Sequence, residues 1–152
     1  MNLFLDTEFT GLHKNTTIIS IGIISEEGTK FYAEFNDYDR IQVDEWCQIN
    51  IIDKLKFKHP PLGEHEHYIK SKVTNDTPLN VAWNIEMRGN KQEVAEELKD
   101  WLSQFNSKIE IWSDCLAYDW VLFVDLFGTA FDLPNNVYYI PQDLCTLLYC
   151  IG

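Results

Sequence analysis

Apolar residues in this chain recur with two different periods in successive stretches, and that succession restricts the fold more than any other feature. Leu3 to Asp6 is a short apolar run ending in acids, Thr17 to Ser25 (TIISIGIIS) is rich in β-branched residues, and Lys30 to Phe35 (KFYAEF) alternates in part. Gly28 supplies a turn between the second and third, so three consecutive strands in a meander are expected. From Asn90 to Phe105 the period becomes helical: Val94, Leu98, Trp101, Leu102 and Phe105 share one stripe, with Lys91, Glu93, Glu97 and Lys99 off it. Ile109 to Ser113 reads as a strand, Tyr118 to Phe127 as a helix stopped by Gly128, Val137 to Ile140 as a strand, and Asp143 to Cys150 as the start of another helix. The order β-β-β-α-β-α-β-α predicts an α/β fold with a mixed five-stranded sheet flanked by helices.

Between the meander and the long helix, Trp46, Ile49 and Ile52 fit one face of a short helix within Asp44 to Leu55, with Asp44 as its N-cap. His59-Pro60-Pro61-Leu62-Gly63 cannot continue that helix, and the polar stretch to Pro78 reads as a long loop. At 152 residues the chain has room for a single domain, and 45% hydrophobic residues supply it with a core.

Twenty-four acids against 12 bases give a net charge of −12, which opposes a broad nucleic-acid-binding surface. The charge is uneven. Residues 54–72 hold five lysines and three of the four histidines, whereas from Ile109 onward there is no Lys or Arg and six acids accumulate. That acidic stretch either meets something cationic or is a solvated surface. Asp6 and Glu8 interrupt the apolar run that a secretory signal needs, and no run approaches the roughly 20 residues of a membrane-spanning helix, so a soluble, cytoplasmic protein is expected. Cys47, Cys115, Cys145 and Cys150 form no C-x-x-C pair and read as reduced core thiols. There is no G-x-x-x-x-G-K-[ST] loop and no G-x-S-x-G elbow, so nucleotide triphosphatase and serine hydrolase readings have no support.

Asp6 and Glu8 stand two apart on the first strand, which points both carboxylates to one face. Two anions in a partly dry cleft cost several kcal/mol unless a proton or cation offsets them. Nothing basic precedes His13, so a divalent ion is the natural solution, and oxygen ligands favour Mg²⁺ or Mn²⁺ over Zn²⁺.

Phe4-Leu5-Asp6-Thr7-Glu8-Phe9-Thr10-Gly11-Leu12 closely resembles the first motif of the DEDD family of 3′ to 5′ exonucleases. Ala117-Tyr118-Asp119-Trp120-Val121-Leu122-Phe123, directly after the Ile109 to Ser113 strand, resembles the family's second motif, in which an aromatic-Asp pair opens a helix. The nearest resemblance is to small bacterial and phage exoribonucleases whose metal-binding acids are paired with a histidine. It runs from Met1 to Gly152 and implies a ribonuclease H-like architecture, to which the order of elements also corresponds. It implies Asp6, Glu8 and Asp119 as catalytic, metal-binding carboxylates for two Mg²⁺ or Mn²⁺ ions. Thr7, Phe9, Thr10, Gly11 and Leu12 become the lip that holds the terminal nucleotide, Phe9 departing from the Thr of the best-known members. The substrate implied is the 3′ end of single-stranded RNA or a short oligonucleotide, released as nucleoside 5′-monophosphates. Dimers are common in this branch, and Trp83 is an aromatic that an interface would use.

The family's third motif, H-x4-D, is absent: no His follows His67, and none of His13, His59, His65 and His67 has an Asp five residues on. Asp143 belongs to the segment that precedes that motif in the family and is not counted as a ligand. The expectation is therefore a domain over 1–152 truncated before its C-terminal helix, with weak metal binding and reduced turnover, since loss of a general base costs about 10²–10⁴-fold. The alternative is a catalytically silent protein of the same fold that binds nucleotides or a partner. Other residues have bland readings beside functional ones: the His65-x-His67 pair as a zinc site or a plain loop, Lys54, Lys56 and Lys58 as phosphate contacts or solvated side chains, Asp114 as a water-mediated metal support or a helix cap, and Tyr118 and Trp120 as base-stacking or core.

Overall fold

A computed structural model describes residues 1–57 and 83–152 in full and 69–74 by their backbone. Strands β1 (Asn2–Phe9), β2 (Ile18–Ser25) and β3 (Lys30–Phe35) form the expected antiparallel meander. Gly28, at φ +87°, makes the tight turn between β2 and β3, its N–H donating to the Ser25 carbonyl at 2.8 Å. After a 3-10 turn at Arg40–Gln42 come the short helix α1 (Glu45–Asn50), strands β4 (Ile69–Thr74) and β5 (Trp83–Gly89), helix α2 (Lys91–Ser103), strand β6 (Glu110–Ser113), helix α3 (Leu116–Asp125), strand β7 (Gln142–Asp143) and helix α4 (Leu144–Ile151). One mixed sheet runs in the order β4-β5-β3-β2-β1-β6-β7. The α/β class with helices flanking a mixed sheet is as expected.

The strand count is not. Among the described residues seven strands stand where five are expected, in part because β4 and β5 pair antiparallel between the meander and the long helix, where no strand is expected. The alternation of Trp83, Ile85 and Met87 was the available signal for β5. Val137 to Ile140 does not form a strand and contributes only a bridge from Val137 to Ile109, while β7 lies just beyond it against β6. The short helix is also rotated relative to its expected face: Trp46 and Ile49 are exposed, and Cys47 with Ile51 turns inward. Asp44 caps it as anticipated, accepting from the Cys47 N–H at 2.7 Å. His59, His65, His67 and Lys58 lie outside the described residues, as do the side chains of Lys70 and Lys72.

The core lies between the sheet and α2. Val94, Leu98, Trp101 and Leu102 are fully buried, and Trp101 meets Phe105 edge-on at 5.1 Å between ring centroids. Its indole N–H, which burial would otherwise leave without water, donates to the Trp83 carbonyl at 2.9 Å. Trp83, expected as an exposed aromatic, is half-buried against that core. All four cysteines are free, but only Cys47 is a core thiol; Cys115, Cys145 and Cys150 are exposed, the first at the N-cap of α3 and the others on α4, which buries none of its residues. Among the described residues no helix is long and apolar enough to cross a membrane.

Candidate metal centre

β1 is the strand on which the site is built. Leu3, Leu5 and Thr7 point into the protein, so the period of two leaves Phe4, Asp6 and Glu8 on the opposite, exposed face. β6 lies parallel to β1 with Phe4 level with Trp112, a register supported by the Trp112 indole N–H donating to Asn2 Oδ1 at 3.0 Å. Continued by two residues, that register carries Asp114 level with Asp6. The chain then turns into α3, whose first turn presents Asp119.

The result is a cluster: Asp6, Asp114 and Asp119 each offer a carboxylate oxygen, and the three oxygens lie within 4.8 Å of one another. Glu8 stands on the same face as Asp6 but outside this close group. Asp119 is completely buried, yet its charge is fully hydrogen-bonded. The Thr7 N–H and hydroxyl donate to its Oδ1 at 3.1 and 2.6 Å, and the Ser113 hydroxyl donates to its Oδ2. Those donors are what make a buried carboxylate tolerable, and they fix its direction.

Partial burial, then the nearby Asp119 and Asp114, push the Asp6 carboxyl above its ordinary range. Burial and the charges of Asp6 and Asp119 do the same to Glu8, opposed by Lys54. Hard, anionic oxygens gathered this closely suit a divalent cation, whose charge would reverse the repulsion raising both groups. Beside them a groove of about 610 Å³ runs from Asp6 and Asp114 over Gly22 to Tyr32. Gly22 is the cross-strand partner of Asp6, and its missing side chain keeps the floor open.

Two relatives, both described as a 3′-5′ exoribonuclease of Mycobacterium tuberculosis, from strains CDC 1551 / Oshkosh and H37Rv, are each 26% identical to this chain over 145 residues. The alignment covers 95% of this chain and 71% of each relative. The chain is thus similar to a 3′-5′ exoribonuclease. No family model matches it.

Of the residues singled out in the sequence, the fold brings Asp6 and Asp119 into contact range and leaves Glu8 at the margin. Asp114, for which the sequence offers water-mediated metal support or a helix cap, joins Asp6 and Asp119 in the cluster. A capping role was its rival reading, but the N-cap of α3 is Cys115 and no side chain caps it. The lip divides into two kinds of residue. Thr7 and Thr10 are buried, the former spent on Asp119 and the latter in a network with Thr16, Thr17 and Gln42. Phe9 is half-buried and stacks on Tyr118 at 5.1 Å, Gly11 is partly exposed, and Leu12 is 74% exposed. The stack gives Tyr118 a packing role, and Trp120 likewise stacks on Phe123. Lys56 pairs with Glu86, and Asp143 serves as the N-cap of α4, where hydrogen bonds from Thr146 and Cys145 hold its carboxyl below the ordinary range.

Proposed function

We propose that this protein is a metal-dependent 3′-5′ exoribonuclease of the DEDD type, in the ribonuclease H-like superfamily. It acts on the 3′ end of single-stranded RNA or short oligonucleotides in the cytoplasm and releases nucleoside 5′-monophosphates. The observation that carries the reading is the convergence of Asp6 on β1, Asp114 in the turn after β6 and Asp119 on α3 within 4.8 Å, in a chain similar to a 3′-5′ exoribonuclease. Asp6, Glu8 and Asp119, with Asp114 beside them, would hold divalent ions, which would supply Lewis-acid activation of water and charge neutralisation at the departing 3′ oxygen.

The chain's own residues do the rest. Thr7 and Ser113 hold Asp119 in one direction, so its charge needs no rearrangement when a phosphate arrives. Gly11 and the exposed Leu12 offer the terminal nucleotide a surface at the end of β1. Bound divalent ions would neutralise the phosphate at the site, so the net charge of −12 is no obstacle to a short substrate end.

The deciding experiment incubates the protein with 5′-labelled RNA and Mg²⁺ or Mn²⁺. The reading predicts stepwise shortening from the 3′ end, release of nucleoside 5′-monophosphates, and loss of both with EDTA or Asp119→Asn. Tight Mn²⁺ binding without any shortening would favour the silent, nucleotide-binding alternative instead. Assembly as a homodimer is part of the same proposal, and light scattering on the eluting protein tests it.

A further inference from the structure

The loop 10–17 leaves β1 and returns to β2, and its tip has no apolar anchor. Leu12 is 74% exposed, and His13, Lys14 and Asn15 are exposed as well. Its shape therefore depends on polar contacts within its base. There, Thr10 Oγ1 accepts from the Thr17 N–H at 3.0 Å, and Thr16 Oγ1 accepts from the Gly11 N–H at 3.1 Å. A hydroxyl has one proton to give, and Thr10 gives its own to Gln42 Oε1 at 2.6 Å.

Gln42 uses the remainder of its amide equally fully. Its Nε2 donates to the Asn15 carbonyl and to Asp39 Oδ2, each at 3.0 Å. One side chain thus ties Thr10, where the loop begins, and Asn15, beside its tip, to the 3-10 turn that Asp39 caps. Asp39 is itself tied to the loop, its N–H donating to Thr17 Oγ1 at 2.9 Å. A flipped amide would set its oxygen against two acceptors, so the neighbours dictate the orientation of this clamp.

The geometry assigns Gln42 the role of a positioning residue that shapes the Gly11-Leu12 lip and so sets how tightly a terminal nucleotide is held. This rests on the function proposed above, in which the lip meets that nucleotide. Gln42 lies outside the acidic cluster, so its loss should separate nucleotide affinity from metal affinity.

The test is calorimetric titration of the 152-residue chain with adenosine 5′-monophosphate under saturating Mn²⁺, beside titration with Mn²⁺ alone, with far-UV circular dichroism showing that each variant is folded. Gln42→Ala should weaken nucleotide binding about tenfold, the worth of a lost hydrogen bond or two, and leave Mn²⁺ affinity unchanged. Gln42→Glu, which keeps the acceptor for Thr10 but loses both donated bonds, should weaken it as well. Combining it with Asp39→Asn returns a donor between positions 39 and 42 but not the bond to the Asn15 carbonyl, and should recover only part of the lost affinity. Wild-type binding that persists unchanged in folded Gln42→Ala or Gln42→Glu overturns the inference alone. Absence of nucleotide binding by the wild-type protein with Mn²⁺ overturns the inference together with the functional reading.

Discussion

Asp6→Asn should make the metal-free protein more stable while removing its response to metal. Carboxylate oxygens of Asp6, Asp114 and Asp119 lie within 4.8 Å of one another. Two unit charges at 4.8 Å repel by about 0.9 kcal/mol in water and by about 3.5 kcal/mol at an effective dielectric of 20. Asp6 and Asp114 are exposed, so the value near the water limit applies, and the two repulsions Asp6 suffers sum to about 2 kcal/mol. Asparagine keeps the shape and removes the charge. For a domain of this size each kcal/mol moves the melting temperature by about 2–4 °C, so in EDTA the variant should melt about 4–8 °C above wild type. Mn²⁺ reverses the ranking: at a hundredfold excess over its dissociation constant it stabilises the wild-type fold by about 2.7 kcal/mol, and the variant loses most of that gain. Thermal denaturation followed by circular dichroism, with EDTA and with Mn²⁺, reads both effects. If Asp6→Asn melts at or below wild type in EDTA, or gains as much from Mn²⁺, the three carboxylates do not share a charged pocket and the reasoning fails.

Three further outcomes follow from the same geometry. Thr7→Val removes the hydroxyl that donates to buried Asp119 at 2.6 Å and should cost about 1.5–3 kcal/mol in urea denaturation, because the acceptor is charged; a cost below about 0.5 kcal/mol would mean that this bond is not formed in solution. The raised carboxyls of Asp6 and Glu8 bind protons more tightly folded than unfolded, so the metal-free protein should lose stability as pH rises from the ordinary carboxylate range through their folded values. That loss should be absent from an Asp6→Asn, Glu8→Gln double variant, which a comparison of urea midpoints across pH would show. Asp114→Asn should weaken Mn²⁺ binding several-fold by calorimetry; an unchanged affinity would place Asp114 outside the metal centre.

How much of this was legible varies by residue. Asp6 and Glu8 share a face because side chains alternate along any strand, and once Leu3 and Leu5 face the core nothing else is geometrically available. Gly28 and Gly128 adopt positive φ where the sequence reading placed a turn and a helix stop, since the constraint is local. The long helix announced itself through Val94, Leu98, Trp101 and Leu102, whose stripe is an intrinsic property of the 3.6-residue turn. The six-residue α1 has too few turns to define a face, and its packing selected Cys47 and Ile51 over Trp46 and Ile49. Strand β4 alternates Ile69, Ser71 and Val73 with Lys70, Lys72 and Thr74, but with only two apolar residues the pattern is weak, and the strand is paired with β5.

Local periodicity and short motifs were thus enough to determine the α/β class, the meander, the long helix and the acidic pair on β1, because each depends on neighbours within a few residues. Asp114 joining the cluster, Thr7 and Ser113 turning inward to hold Asp119, and Gln42 bracing the loop from 27 to 32 residues away were decided only by the folded chain. Their partners are set by the register of β6 on β1 and by the docking of a 3-10 turn against a loop, which are properties of how segments distant in sequence pack together.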